Sequence, residues 1–172
     1  MSVESINNQG LDLGDQENND QDYQQFLTFF LGNETYGIDV TYIKEVIEYE
    51  NVYGIPLVPG TIKGIMNLRG EVAPVVDLTH LFYHESAEIS KLTCIVIIEK
   101  SYENEIITIG VMIDAIKAVV NLTDDEIEDT PGFGSKISHD YISGVGKLDG
   151  DFIILLDINK VLDVDDLSNF EG

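Results

Sequence analysis

The chain has 172 residues and a formal net charge of −23 at pH 7, from 32 acidic residues against nine lysines and arginines. This length suits one compact domain or two small ones that share a core. The negative charge disfavours nucleic acid and anionic lipid and favours proteins or cations as partners. The sequence contains no membrane-spanning apolar run and no secretory signal at its start, so we expect a cytosolic protein.

The predicted elements begin after an acidic tail. Residues 1–22 contain no aromatic residue, lysine or arginine, so we expect a disordered tail there. Residues 25–31 and 36–39 form a predicted β-hairpin around a glycine turn. The apolar residues that follow have a helical spacing, which predicts a short helix over residues 40–47.

Residues 62–78 contain the most distinctive pattern of the chain. Two apolar runs flank the dipeptide Arg69-Gly70, which predicts a strand, a tight turn and a second strand. Pro74 lies in the second run and predicts an edge strand or a bulge. Arg69 is the only arginine of the sequence. Its planar guanidinium suits a bidentate contact with a partner, although an ordinary surface charge is the alternative.

The second half of the chain repeats the first. Residues 142–158 match 62–78 at an offset of 80 (142 minus 62), and residues 109–120 match 36–47 at an offset of 73 (109 minus 36). Two matches in the same order indicate an internal duplication, and the alternative is a chance similarity of amphipathic strands. Short closing helices are predicted at residues 78–83 and 157–162.

Many short strands separated by turns predict an all-β fold. We expect an antiparallel β-barrel in each half, with residues 23–86 as the first barrel subdomain and residues 87–163 as the second. The longest predicted loop is an acidic connection over residues 124–138. Residues 164–172 form an acidic C-terminal end.

Three side chains could form a metal site. Asp77, His80 and His84 lie near one face of the predicted closing helix, at a spacing that metal ligands use. Exposed histidines without a ligand role are the alternative, because the second copy has no histidine at the matching positions. The sequence contains no phosphate-binding loop, dinucleotide fingerprint or nucleophile motif. A metal-dependent enzyme is therefore the weaker hypothesis, and a non-catalytic binding module is the stronger one.

Four apolar residues occupy duplicated positions in the segments that link the strands. They are Ile43 and Val46 in the first copy and Ile116 and Val119 in the second. In a pseudo-symmetric pair of barrels they would meet near the junction, where a groove for a partner could form. Burial in the core is the alternative for each of them.

A family resemblance rests on four motifs. They are Tyr36-Gly37-Ile38-Asp39, Asn67-Leu68-Arg69-Gly70, Val75-Val76-Asp77-Leu78 and the repeat from Val145 to Gly150. Over about residues 23–163 the chain resembles the CheW family of bacterial chemotaxis coupling proteins. The resemblance implies two five-stranded SH3-like β-barrels that pack on a shared hydrophobic core, with no catalytic activity and no cofactor.

The resemblance also implies partners and a location. The partners are the cytoplasmic tips of chemoreceptors and the regulatory domain of the CheA histidine kinase. The location is cytoplasmic, at membrane-associated receptor arrays. The long acidic tail and the strong negative charge depart from the family. A coupling domain for a kinase system outside chemotaxis remains an alternative.

Individual positions can be assigned by the same resemblance. Arg69 matches the partner-contacting arginine of the family, and Gly64 and Gly70 match its hairpin glycines. Ile43 and Glu45 match positions implicated in kinase or receptor contact. The matches on the receptor side of the second barrel are Gly110, Ile116 and Val119.

Overall fold

The computed structural model describes residues 22–56, 60–129 and 139–163. The strands in these ranges are β1 (Tyr23–Leu31), β2 (Glu34–Asp39), β3 (Ile43–Glu48), β4 (Ile62–Leu68), β5 (Glu71–Asp77), β6 (Cys94–Tyr102), β7 (Glu105–Ile113), β8 (Ala115–Thr123), β9 (Ile127–Glu128), β10 (Ile142–Leu148) and β11 (Asp151–Leu156). The helices are α1 (Leu78–Tyr83) and α2 (Ile158–Val161), and 3-10 turns lie at Val40–Tyr42, Asp124–Glu126 and His139–Tyr141. None of the helices in these ranges is long and apolar enough to cross a membrane.

Some predicted segments lie outside the described residues. The predicted N-terminal tail falls there except for Asp22, and so does the whole acidic C-terminal end. The predicted acidic connection is described only up to Asp129, where a 3-10 turn and the short strand β9 replace its first part.

The strands form two sheets, which confirms the predicted all-β fold. Sheet A has the order β8-β1-β2-β11-β10-β9, and sheet B has the order β3-β6-β7-β5-β4. The β1–β2 hairpin of the first half lies in sheet A, between strands of the second half. The β6–β7 hairpin of the second half lies in sheet B, between strands of the first. The predicted boundary between residues 86 and 87 therefore does not separate the sheets, because the halves exchange hairpins.

The predicted duplication is visible in the two tight hairpins. Arg69 and Gly70 connect β4 to β5 with φ values of 54° and 87°. Asp149 and Gly150 connect β10 to β11 with φ values of 52° and 83°. Two successive residues at positive φ match the right-handed twist of the strands they join. The two copies thus fold the same backbone around an arginine in one and an aspartate in the other.

β3 replaces the helix predicted over residues 40–47, so that prediction is wrong. β3 pairs with β6 through a β-bulge in which Lys44 is the extra residue between Ile43 and Glu45. The bulge places Ile43 and Val46 on the same buried face although they are three residues apart. This spacing imitates the period of a helix.

Pro74 lies in β5, an interior strand between β7 and β4, so the predicted edge strand is wrong. Pro74 is opposite Ile65 of β4, close to a bulge in that strand. Ile65 exchanges both of its backbone hydrogen bonds with Tyr53, at 2.8 Å and 2.9 Å, and so directs them away from β5. The pairing of β5 with β7 begins one residue after the proline. The ladder therefore does not require the N–H that proline lacks.

The hydrophobic core has three parts, because most strands are apolar on both faces. Sheet B curls around Val75, Ile95 and Ile97, and sheet A curls around a smaller cluster that contains Phe26 and Leu155. The alternate faces pack between the sheets in a larger cluster, the central core. Its members from both sheets include Leu27, Phe29, Tyr36, Val76, Val96, Val111 and Leu156. The two barrels therefore share one core.

Candidate functional site

Arg69 and Glu45 form a bidentate ion pair on the surface of sheet B. The Arg69 Nη1 atom lies 2.7 Å from Glu45 Oε2, and Nη2 lies 3.2 Å from Glu45 Oε1. The Arg69 side chain is 68% exposed, whereas that of Glu45 is only 18% exposed. The carboxylate is thus held against the barrel, and it fixes the orientation of a guanidinium that faces solvent.

Local backbone geometry brings these two side chains together. β3 and β4 are the two edge strands of sheet B. The ion pair between β3 and the β4–β5 turn therefore connects the two edges of this sheet. Glu45 follows the bulge at Lys44, and bulges re-aim the side chains beside them. The turn is fixed by a 2.8 Å hydrogen bond from the Gly70 N–H to Asn67 Oδ1. Arg69 is therefore presented on a defined turn.

The ion pair is better suited to recognition than to stability. An exposed pair of this kind contributes about 0–1 kcal/mol to folding. A guanidinium has five N–H donors, of which the two contacts with Glu45 leave others for a partner. Arg69 can therefore bind a carboxylate or backbone carbonyl of another protein while Glu45 limits its rotamers.

The four duplicated apolar residues all lie in or against the central core. Val46 is 3% exposed and belongs to the central core, whereas Ile43, Ile116 and Val119 are half-buried and pack against it. Ile43 and Val46 come from the edge strand of sheet B, and Ile116 and Val119 come from the edge strand of sheet A. Val46 is therefore a core residue, which is the alternative given for it above, whereas Ile43, Ile116 and Val119 each keep part of their surface exposed.

The three glycines assigned by resemblance have structural roles. A Cβ at Gly64 would overlap the carbonyl oxygen of Tyr53, and a Cβ at Gly110 would lie 2.8 Å from Ile95 Cγ2. Both positions therefore lack space for a side chain. Gly70 has open space around it but needs its positive φ for the turn. These glycines shape the sheet that carries Arg69.

Sequence analysis missed an exposed aromatic residue at the second hairpin. Phe152 is 63% exposed, and its duplicate Val72 beside the Arg69 turn is 62% exposed. Near Phe152, Lys147 forms a 2.6 Å ion pair with Glu128. Residues 152–156 of β11 are all apolar, so the sequence shows no alternation that could have revealed the exposed position of Phe152.

The candidate metal site does not assemble. Asp77 is fully buried, and its two oxygens accept hydrogen bonds from the backbone N–H groups of His80 and Ala87 at 3.1 Å and 3.0 Å. His80 Nδ1 lies 3.1 Å from Thr61 Oγ1. The rings of His80 and His84 are 6.4 Å apart. Throughout the part of the chain that the structure describes, no three potential ligands converge on one point.

The chain matches a protein family and several chemotaxis proteins. Residues 25–166 match the family model of the CheW-like domain. The chain is 32% identical to a chemotaxis protein CheW of Klebsiella aerogenes, over 84% of this chain and 85% of that protein. It is 30% identical to a chemotaxis protein CheW of Bacillus subtilis, over 81% of this chain and 87% of that protein.

A solved structure has the same fold. The scaffolding protein TtCheW from Thermoanaerobacter tengcongensis superimposes with a TM-score of 0.73 and 28% sequence identity. The match covers 84% of this chain and 91% of that chain.

Proposed function

Because the chain belongs to the CheW-like family, we propose that it is a non-catalytic scaffold that couples chemoreceptors to the CheA histidine kinase in bacterial chemotaxis. The main structural support for this proposal, besides family membership, is the Arg69–Glu45 ion pair. In this pair Glu45 orients the exposed guanidinium of Arg69, which lies on a tight turn. The chain holds its partners in a fixed geometry and catalyses no reaction. It works on the cytoplasmic side of membrane-associated receptor arrays.

The kinase-binding surface is the part of sheet B around the β4–β5 turn and the neighbouring residues of β3. Arg69 and Glu45 are its polar centre, and Gly70 sets the turn on which Arg69 is presented. Gly64 acts indirectly, because it lets the Tyr53 segment pack against β4 behind this surface. A planar guanidinium with free donors suits the regulatory domain of CheA if that domain offers a carboxylate or a carbonyl there.

The receptor-binding surface is the junction of the sheets. Ile43, Ile116 and Val119 offer half-buried apolar area from both sheets, and Val46 supports them from the core. An amphipathic helical tip of a chemoreceptor binds such a surface through its apolar face. Gly110 lies in β7 of sheet B, and its missing side chain makes room for Ile95 and Val75 inside that sheet, so it supports this surface only indirectly.

A calorimetric titration with the regulatory domain of CheA from the same organism tests the kinase side. We expect a micromolar or tighter dissociation constant for the wild type. Arg69→Ala should weaken binding by about fivefold or more, which corresponds to about 1 kcal/mol. Arg69→Lys should also weaken it, because an ammonium cannot make a bidentate contact.

Lys147→Ala is the matched control, because it removes an exposed ion pair of the other sheet. Equal affinities for wild type and Arg69→Ala would remove Arg69 from the kinase surface. A second titration measures the dissociation constant for the cytoplasmic tip of a chemoreceptor. It compares the wild type with Ile116→Asp, a variant at the junction of the sheets. If the wild type binds neither partner, the chemotaxis assignment fails and a kinase system outside chemotaxis becomes the leading hypothesis.

A further inference from the structure

A hydrogen-bonded cluster connects helix α1 to the β1–β2 hairpin. The hydroxyl groups of Tyr36 and Tyr83 contact each other, and they lie 3.0 Å and 3.2 Å from Glu34 Oε2. Burial raises the pKa of both tyrosines, so their hydroxyls stay protonated and available as donors. We call Glu34, Tyr36 and Tyr83 the tyrosine lock.

The tyrosine lock joins the two sheets. Glu34 and Tyr36 belong to β2 in sheet A, whereas Tyr83 ends the helix that follows β5 of sheet B. Below the hydroxyl groups, the Tyr36 ring lies between Phe29 and Phe82, with centroids 6.0 Å and 5.7 Å away. The polar contact therefore lies at the end of an aromatic row within the central core.

A second hydrogen bond links the two sheets at another place. Lys100 Nζ donates a 2.7 Å hydrogen bond to the carbonyl oxygen of Leu162. Lys100 belongs to β6 in sheet B, and Leu162 follows helix α2, which comes after β11 of sheet A. Leu162 is also the duplicate of Phe82, at the offset of 80 (162 minus 82). This contact, the lysine lock, thus joins a hairpin of one sheet to the helix that follows the other.

The two locks supply directional contacts between the sheets, which the apolar central core alone does not. Apolar packing is non-directional, so two sheets that share an apolar core can shift by small sliding movements. Hydrogen bonds depend on distance and angle, so the bonds of the two locks restrict such sliding. The proposed receptor surface uses both sheets, whereas the kinase surface lies on sheet B alone. If the sheets could slide, a conformational change caused by receptor binding would shift the sheets relative to each other and would not reach the Arg69 surface on sheet B.

We propose that Tyr83 and Lys100 are positioning residues that fix the angle between the sheets and thereby transmit receptor binding at the junction to the Arg69 surface. The transmission part rests on the proposed function, whereas the fixed angle does not. Both parts are tested with the double variant Tyr83→Phe, Lys100→Met, which we call the lock variant. It keeps the aromatic ring of residue 83 and an aliphatic chain at residue 100. The control is Tyr53→Phe, Lys91→Met, at an exposed tyrosine and an exposed lysine.

The sheet angle is measured first, without any partner. Spin labels are attached through Val72→Cys on sheet B and Phe152→Cys on sheet A, two exposed and duplicated positions, in a Cys94→Ala background. The label-to-label distance distribution should broaden in the lock variant and stay unchanged in the control. Lys100→Arg, which keeps a cationic donor, should narrow the distribution in part when it replaces Lys100→Met, because Tyr83→Phe is still present. An unchanged width in the lock variant would overturn the proposal.

Coupling is measured second, with unlabelled protein. The dissociation constant for the CheA regulatory domain is determined with and without a saturating chemoreceptor tip, and the ratio of the two is the coupling factor. We expect a factor of about fivefold or more for wild type and control. In the lock variant it should fall towards one, while affinity for the kinase domain alone stays within about twofold of wild type.

The outcomes separate the two proposals. A coupling factor that persists in a lock variant with a broadened distance distribution would refute the transmission role of Tyr83 and Lys100. If the wild type binds neither partner, the proposed function is refuted. In that case the distance measurement alone decides whether the locks fix the sheet angle.

Discussion

The two duplicated aspartates at the starts of α1 and α2 should differ sharply in their contributions to stability. Asp77 and Asp157 precede their helices with almost identical backbone angles, φ −89° and ψ 101° against φ −89° and ψ 100°. Each accepts one backbone hydrogen bond from its helix, at 3.1 Å. Asp77 is fully buried and also accepts the Ala87 N–H at 3.0 Å, whereas Asp157 is half-buried.

The magnitudes follow from these contacts. Loss of a helix cap costs about 1 kcal/mol, which is the whole expected cost of Asp157→Ala. Asp77→Ala loses a cap and also a second hydrogen bond to a charged acceptor, which contributes about 1.5–3 kcal/mol. We therefore expect Asp77→Ala to lower the free energy of unfolding by about 2.5–4 kcal/mol in total. Asp77→Asn should lie between Asp77→Ala and wild type, because its amide keeps one acceptor.

Urea unfolding of the three variants and wild type is the assay. The midpoint should fall most for Asp77→Ala, with an unchanged dependence of the free energy on urea. Equal losses for Asp77→Ala and Asp157→Ala would refute the reasoning, because the variants differ in burial and in one hydrogen bond. A larger loss for Asp157→Ala would refute it as well.

Two further predictions concern glycine packing and tyrosine ionisation. Gly64→Ala should destabilise the fold by about 1–3 kcal/mol, because the added Cβ would meet the Tyr53 carbonyl, whereas Gly54→Ala should have little effect in open space. Urea midpoints of the two variants check this, and equal midpoints would contradict it. Burial raises the pKa of Tyr36 and Tyr83, so the folded state keeps their protons to higher pH than the unfolded chain does. The contribution of these two tyrosines to stability should therefore be constant below about pH 10 and fall above it. Tyr83→Phe should flatten that fall in urea midpoints, and ionisation of all eight tyrosines near pH 10 in the folded protein would contradict the prediction.

The sequence predicts most of the candidate site because its signals are local. A dipeptide with glycine between two apolar runs defines the hairpin that presents Arg69, and the structure confirms that hairpin. The pairing of Arg69 with Glu45 is different, because it joins residues 24 positions apart through barrel closure. Only the family resemblance selected Glu45, since nothing in its neighbourhood in the sequence distinguishes it from the other acidic residues.

The wrong helix over residues 40–47 has a specific physical cause. A strand shows its buried residues at every second position, and the bulge at Lys44 inserts one residue into that alternation. Ile43 and Val46 then reach the same core at a spacing of three. The second copy repeats this pattern, because a bulge at Lys117 places Ile116 and Val119 against the same core. In both copies, two apolar residues three positions apart enclose a lysine, and this repeated pattern indicated a bulge in a strand rather than a helix.

The exchange of hairpins is invisible to local patterns, yet it explains why a duplicated chain can act as a coupling protein. β1 and β6 are apolar on both faces, which indicates two buried sides but not the strands that pair with them. In the structure, each sheet is completed by a hairpin from the other half. Neither half can therefore form its barrel alone, and the junction surface shares one core with the surface around Arg69. Two binding surfaces on independently folded barrels could rotate about a linker, whereas exchanged hairpins make the two barrels one folding unit.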